Sequence, residues 1–177
     1  MEILIAYICG ACLWQLAEYF IHCYLGHVVK FNNLFKKEHD LHHQKTDYFS
    51  PFYLKILSAV PVSLVVFFTM SLIFPKEVSI YFTAGFITFY FVYELIHLSL
   101  HVVPPYTFYG KFIRKHHFYH HFINPKMNHG VTTPLFDIIF GTYEKVGHLK
   151  VPKNFAMKWL VSDDHLVKEK YQGDYFI

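Results

Sequence analysis

From Ile56 to Phe74 the chain carries no charged side chain, and Val78 to Tyr93 is equally uncharged. A third apolar stretch, Ile3 to Ile21, is interrupted only by Gln15 and Glu18. A helix needs about 20 residues to cross the hydrocarbon core of a bilayer, so each stretch is long enough to span it or nearly so. In lipid, backbone polar groups must be satisfied within the segment, which makes helices the expected solution and tolerates Pro61 and Gly85 inside them. Charged residues make up only 16% of the chain, against roughly 25% in an ordinary soluble domain. Buried helices of a soluble protein are the weaker alternative. The expected fold is all-α, a single membrane-embedded domain over 1–177, with transmembrane helices at about 3–21, 55–74 and 78–100.

Pro75-Lys76-Glu77 leaves room only for a tight turn, so the second and third stretches form a helical hairpin. Of sixteen Lys and Arg, only Lys76 lies in that turn; the others fall between Lys30 and Lys55 or from Lys111 onward. The positive-inside rule then assigns 22–54 and 101–177 to the cytoplasm, as a helical cap. A multi-pass protein of the bacterial cytoplasmic membrane is expected ahead of one of the endoplasmic reticulum. The first stretch lacks a basic leader and a small-residue cleavage site, so a removed signal peptide is not expected. Cys9, Cys12 and Cys23 sit in or beside that stretch and read as small apolar residues of a membrane helix rather than as a redox or zinc pair.

Ten of the fourteen histidines collect near the same end of these helices, from four separated segments. His22 and His27 follow the first helix; His39, His42 and His43 precede the second. His97 and His101 end the third, and His117, His120 and His121 follow it. On a helix His97 and His101 lie roughly 40° apart, while His39-Asp40-Leu41-His42-His43 and His117-Phe118-Tyr119-His120-His121 each spread three rings over about 100°. His22 and His27 would diverge by about 140° on a straight α-helix, so a helix ending at Gly26 is the expected way to swing His27 back. Neutral imidazoles are metal ligands, and ten donors exceed what one ion needs, so two ions are expected. Glu18, Asp47, Glu94 and Asp137 are candidates to accept the rings' other N–H groups. His116, His129, His148 and His165 are expected to be dispensable as ligands.

A carboxylate-bridged bundle would need a second ExxH beside Glu94-Leu95-Ile96-His97 and two more inward glutamates, which the chain lacks. A metal transporter or storage protein would be expected to place polar ligands near mid-bilayer, yet the two uncharged stretches contain no His. A haem carrier needs only two axial ligands.

These motifs resemble the fatty acid hydroxylase superfamily of integral-membrane di-iron enzymes, which includes sterol desaturases, and most closely its fatty acid 2-hydroxylase branch. Glu18-Tyr19-Phe20-Ile21-His22 with His27 resembles EYxxHxxxxH, and His39 to Asp47 resembles HxxHHxxxxD. Tyr93-Glu94-Leu95-Ile96-His97 with His101 resembles the third motif. His117 to His121 and Gly130-Val131-Thr132-Thr133-Pro134-Leu135-Phe136-Asp137 with Phe140-Gly141-Thr142 resemble HxxHH and GVTSxxWDxxFGT. Position 136 is Phe where the family often has Trp. Carotenoid hydroxylases share three of the clusters but usually space the remaining pair as HxxxxH, against the spacing of His97 and His101 here.

The resemblance implies O2-dependent hydroxylation of an unactivated C–H bond in a membrane lipid acyl chain, with two Fe ions as cofactors and O2 as co-substrate; a related di-iron oxidase of the superfamily, a carotenoid hydroxylase or a sterol or lipid desaturase, is the alternative. Zn could replace iron in recombinant protein. Tyr48, Phe49, Tyr90, Tyr109, Phe118 and Phe122 are expected to line the substrate path. Eukaryotic relatives of this branch commonly carry a fused haem-binding domain and a further membrane helix before the EY motif; neither is expected here. With no CxxCH, iron–sulfur cysteine set or GxGxxG in the chain, the expected partner is a separate electron donor, a ferredoxin or a b-type cytochrome with its reductase. Lys111, Arg114 and Lys115 are the expected docking patch. No nucleic acid is implied.

Overall fold

The computed structural model describes residues 1–31 and 33–177. Helix α1 (Glu2–Phe20) continues without a break into a π-helical segment (Ile21–Val28), followed by α2 (Leu34–Gln44), α3 (Phe52–Ser71), α4 (Lys76–Val102), α5 (Phe108–Phe122) and α6 (Leu135–Phe140). Two short strands, β1 (Leu149–Lys150) and β2 (Tyr175–Phe176), pair in parallel. The mostly helical class is as expected; the strand pair is an addition no sequence pattern signalled.

Among the described residues, three helices are long and apolar enough to cross a membrane: Glu2–Val28, Phe52–Ser71 and Lys76–Val102. They occupy the three expected stretches, and the first runs seven residues past its expected end at Ile21 because the helix does not stop before the histidines. The chain divides into two compact units, Met1–Glu18 with Ser50–Glu94, and Tyr19–Phe49 with Leu95–Ile177.

In the first unit, Trp14 of α1 packs edge-on against Phe86 and Tyr90 of α4, with ring centroids 5.3 and 4.9 Å away. The two backbones touch at glycines. A side chain at Gly10 would strike the Phe82 carbonyl, and one at Gly85 the Tyr7 carbonyl. Such close approach through small residues is how helices associate where no hydrophobic force separates protein from lipid. Helix α3 buries none of its residues, and the hydroxyls of Ser58, Ser63 and Ser71 donate to carbonyls four residues earlier. An apolar exterior with its serine hydroxyls returned to their own helix is what a lipid-facing segment requires.

The second unit has a core of Phe118, Leu149, Val151, Met157, Trp159, Leu160, Tyr171 and Tyr175. Asn33 caps α2 by accepting from the Lys36 N–H at 2.8 Å, and Thr107 caps α5 by accepting from the Gly110 N–H at 2.9 Å. Arg114, buried in α5, donates to the carbonyls of Ser99, Leu100 and Val103 at the end of α4. The Ser99 carbonyl also receives the Val103 N–H at 3.1 Å; for the carbonyls beyond it the guanidinium supplies a donor where the helix ends, while lying 4.8 Å over the Trp159 ring. Trp159 in turn donates its indole N–H to the His101 carbonyl at 2.8 Å.

Candidate metal centre

Among the described residues, ten histidines of the second unit form two groups. His22, His27, His39, His43 and His120 offer nitrogens within 4.8 Å of one another, as do His42, His97, His101, His117 and His121. The ten are those singled out by their spacing. Their division follows from helix geometry. Within α2, His39 and His43 lie one turn apart and serve the first group, while His42, about 60° to one side of His39, serves the second. Helix α5 does the reverse: His117 and His121 serve the second group and His120 the first. Each group is therefore a pair from α2 or α5, a pair from a long apolar helix, and a single ring from the other of α2 and α5.

The pair His22 and His27 corrects one expectation. The helix does not end at Gly26; it widens into a π-helix, with the Val29 N–H donating to the Tyr24 carbonyl five residues back at 2.8 Å. An i→i+5 ladder brings residues five apart onto one face, which is what a five-residue histidine spacing needs. Gly26 matters for another reason, since any Cβ there would press within 2.8 Å of the His39 ring.

The rings are oriented by backbone carbonyls. His22 Nδ1 donates to the His129 carbonyl at 2.5 Å, His42 Nδ1 to the Tyr48 carbonyl at 2.8 Å and His120 Nδ1 to the Met127 carbonyl at 2.9 Å. A carbonyl can only accept, so each Nδ1 carries the proton and each Nε2 keeps its lone pair. Burial, reinforced by neighbouring histidines, pushes His39, His117, His120 and His121 well below the ordinary imidazole value, and His43 down to about 3. These rings are neutral at physiological pH, the state a metal ligand requires.

The residues fit metal ions. His39 Nε2 and His120 Nε2 approach His27 Nε2 to 2.8 and 2.9 Å, and His101 Nε2 approaches His117 Nε2 to 3.0 Å. Adjacent ligands at right angles on bonds of about 2.1 Å would sit about 3.0 Å apart. His22 Nε2, His43 Nε2 and both nitrogens of His121 are buried without hydrogen-bond partners, a cost that proteins rarely accept unless something fills the site.

Asp47, Glu94 and Asp137 depart from expectation. Asp47 is exposed; the turn whose Tyr48 N–H donates to the Lys45 carbonyl sends Asp47 outward, and the Tyr48 carbonyl takes the histidine contact instead. Glu94 belongs to the first unit and accepts from Lys55 at 2.5 Å, since an apolar setting demands a partner for each charge. Glu18 is buried in α1 one turn before His22. Asp137 is fully buried, and its partner is His116 at 3.0 Å rather than any of the ten. It also accepts the N–H groups of His129 and Gly130, both at 2.8 Å, and the Thr142 hydroxyl at 2.8 Å. Burial works to raise its pKa, but His116 and these donors outweigh that and hold it below the usual carboxylate value. Asp137 thus acts one step removed, fixing the loop whose carbonyls orient His22 and His120.

His116 is in neither group, as expected, but it is buried in an ion-pair position. His129 is also buried, its ring 5.1 Å from His120 and 5.6 Å from His22, in neither group. His148 and His165 are exposed. Of the six aromatics, Phe49 packs on His42, His97 and His101 at 5.0, 5.5 and 5.7 Å. Phe118 lies 5.2 Å from His101 but belongs to the core, with Phe122 packed against it. Tyr48 donates to Glu38, half-exposed Tyr109 to the Thr132 carbonyl, and Tyr90 sits against Trp14 in the first unit. The expected docking patch loses two members: Arg114 is buried as a helix cap, and Lys115 pairs with Asp174 at 2.8 Å.

A family model described as "Fatty acid hydroxylase" matches residues 7–142, a span containing all ten histidines and Asp137. The chain belongs to the fatty acid hydroxylase family. Curated family relatives include the human fatty acid 2-hydroxylase, 32% identical over 147 residues covering 75% of this chain and 38% of that protein. The rat fatty acid 2-hydroxylase is 32% identical over 150 residues, covering 77% and 38%. The match thus takes in less than two fifths of those relatives' length. Among solved structures, full-length scs7p with only its hydroxylase domain visible superposes with a TM-score of 0.63 at 28% identity, over 80% of this chain and 57% of that one.

Proposed function

We propose that this protein hydroxylates the acyl chain of a membrane lipid in an O2-dependent reaction, at carbon 2 as the names of its relatives suggest. The observation that carries the proposal is the pair of five-nitrogen groups, each within 4.8 Å. One ion would be held by His22, His27, His39, His43 and His120, the other by His42, His97, His101, His117 and His121. Iron is the proposed metal: imidazole suits it, and zinc has no redox chemistry. When bound, two redox-active ions would supply the activation of O2 that breaking an unactivated C–H bond demands.

The protein's own groups do the rest. The carbonyls of Tyr48, Met127 and His129 hold the rings in one tautomer, so that Nε2 faces the site. The complete burial of His117 and His120 keeps water from the reacting centre. Phe49, against three rings of the second group, is the proposed wall for the acyl chain. We place 22–54 and 101–177 on the cytoplasmic side, where the Lys and Arg excess lies. Hydroxylation consumes O2, two electrons and two protons and releases water, so a separate ferredoxin or b-type cytochrome is proposed as donor. Exposed Lys111, Lys145, Lys150 and Lys153 remain to attract an acidic carrier.

Lipid mass spectrometry of cells with and without the gene tests this. The expected result is an acyl-chain mass gain of one oxygen, placed at carbon 2 by fragmentation and absent in a His120→Ala strain. Unchanged acyl masses with iron-loaded protein present in the membrane would overturn it.

A further inference from the structure

Helix α6 is built inside out for a helix in water. Its one charged side chain, Asp137, points inward and is fully buried, while Leu135, Ile138, Ile139 and Phe140 are 47%, 58%, 58% and 46% exposed. Four donors satisfy the carboxylate inside, so nothing polar on α6 itself remains to meet solvent. Soluble surfaces seldom carry so continuous an apolar patch.

The patch also has a neighbour that says what covers it. The Phe140 ring lies 5.2 Å from Phe20 and stacks 5.0 Å from Tyr19, and Phe20 stacks 5.7 Å from exposed Tyr24. Phe20 and Tyr24 belong to the Glu2–Val28 helix, which is long and apolar enough to cross a membrane. The exposed aromatic side of that helix therefore runs onto α6 without a polar break. Lipid lying against Phe20 and Tyr24 would lie against Phe140 as well.

We propose that α6 is a membrane-seated element: its Leu135–Ile138–Ile139 face rests in the acyl-chain boundary of the leaflet reached by the end of the first helix. Interfacial helices bury an apolar face to a depth of about 5–10 Å in this way. The consequence reaches the histidines, because the opposite side of the same six-residue helix carries Asp137, which fixes the 129–130 backbone. The bilayer surface and the loop behind His22 are then anchored by a single short helix.

Spin-label accessibility in the full chain tests this independently of catalysis. Cys9, Cys12 and Cys23 are replaced by serine, and labels are placed at Ile138→Cys, at Leu64→Cys in α3 as a lipid reference, and at Lys145→Cys as a water reference. The protein is reconstituted in phosphatidylcholine vesicles, with metal content checked against the parent; Ile139→Cys replaces Ile138→Cys if the latter lowers it. The expected result is collision with O2 several-fold above collision with a water-soluble nickel chelate, as at Leu64. Access by the nickel chelate equal to that at Lys145 would overturn the proposal. So would exclusion of both reagents with dipolar broadening, which would mean that a second copy of the chain covers the face.

Discussion

The two histidine groups have the same number of rings and opposite means of support. The first leans on a loop: His22 and His120 donate to the carbonyls of His129 and Met127, and Asp137 holds that loop through the N–H groups of His129 and Gly130. The second leans on a helix end, apart from His42, which donates to the Tyr48 carbonyl. His97 and His101 lie in the last turns of α4, where Arg114 caps three carbonyls and Trp159 takes the carbonyl of His101 itself. Equal ligand sets with unequal scaffolds should fail separately.

The largest effects are expected from the two rings that cross over. His120 is the only α5 ring in the first group, and His42 the only α2 ring in the second. In His120→Ala or His42→Ala, metal should fall from about two ions per chain to about one, with turnover reduced by more than about 100-fold, beyond the range typical of outer-contact losses. Elemental analysis of protein loaded with iron reads the first quantity. Equal loss of both ions in both variants would show that the groups form one cooperative site.

Next come the supports. Asp137→Asn keeps the shape but weakens the contact to His116, a hydrogen bond to a charged group of the kind worth roughly 1.5–3 kcal/mol. It should lower metal affinity of the first group by about 10–100-fold and spare the second. Arg114→Met should do the opposite by opening the end of α4. Competition against a chelator, with the crossing-ring variants identifying each ion, distinguishes the two patterns. Matching profiles would mean that loop and helix end are not separate supports.

Much of this site could be read in the sequence because a metal selects side chains: HDLHH, HFYHH and the pair His97 and His101 announce their faces through spacing alone. The allocation of rings was equally implicit, since the HxxxH pairs and the crossing rings differ by helix angle. What orients the rings was not legible. Carbonyls of Tyr48, Met127 and His129 do the work, and every residue has a carbonyl, so no side-chain pattern marks them. The three apolar helices were visible in the absence of charge, whereas the π-helix at Ile21–Val28 differs from an α-helix by one hydrogen-bond register that composition does not encode. The role of Arg114 is hidden for a related reason: a basic residue among Lys111 and Lys115 looks like surface until a helix end claims it.

Acid should erode both groups in metal-free protein. His43 titrates near 3 when folded, and His117, His120 and His121 are also held well below the ordinary value, all chiefly by burial. Unfolded histidine titrates near about 6.5, so the unfolded chain gains protons first. The stability tied to the neutral rings is fully present above about 6.5 and is lost as pH falls from there toward the folded values, by up to about 1.4 kcal/mol per ring per pH unit. Thermal unfolding in detergent should show a melting temperature that drops as pH falls below about 6.5. His43→Phe and His121→Phe, one from each group, should each flatten that slope by about one ring's share.

The smallest effect is expected at His129, and it separates backbone from side chain. Its carbonyl accepts a hydrogen bond from His22 Nδ1 and its N–H donates to Asp137, while its ring sits 5.1 Å from His120 and turns Nε2 to the Lys126 carbonyl at 3.2 Å. The two backbone contacts survive any substitution that keeps the loop's course. Phenylalanine is similar enough in shape to fill the buried space, so His129→Phe removes one weak hydrogen bond worth about 1 kcal/mol and both ring nitrogens. Metal content should stay at about two ions per chain, with a melting temperature lowered by a few degrees. Loss of the first ion in His129→Phe, to the extent seen in His120→Ala, would make the ring itself a sixth donor, and the two groups would then differ in ligand number as well as in support.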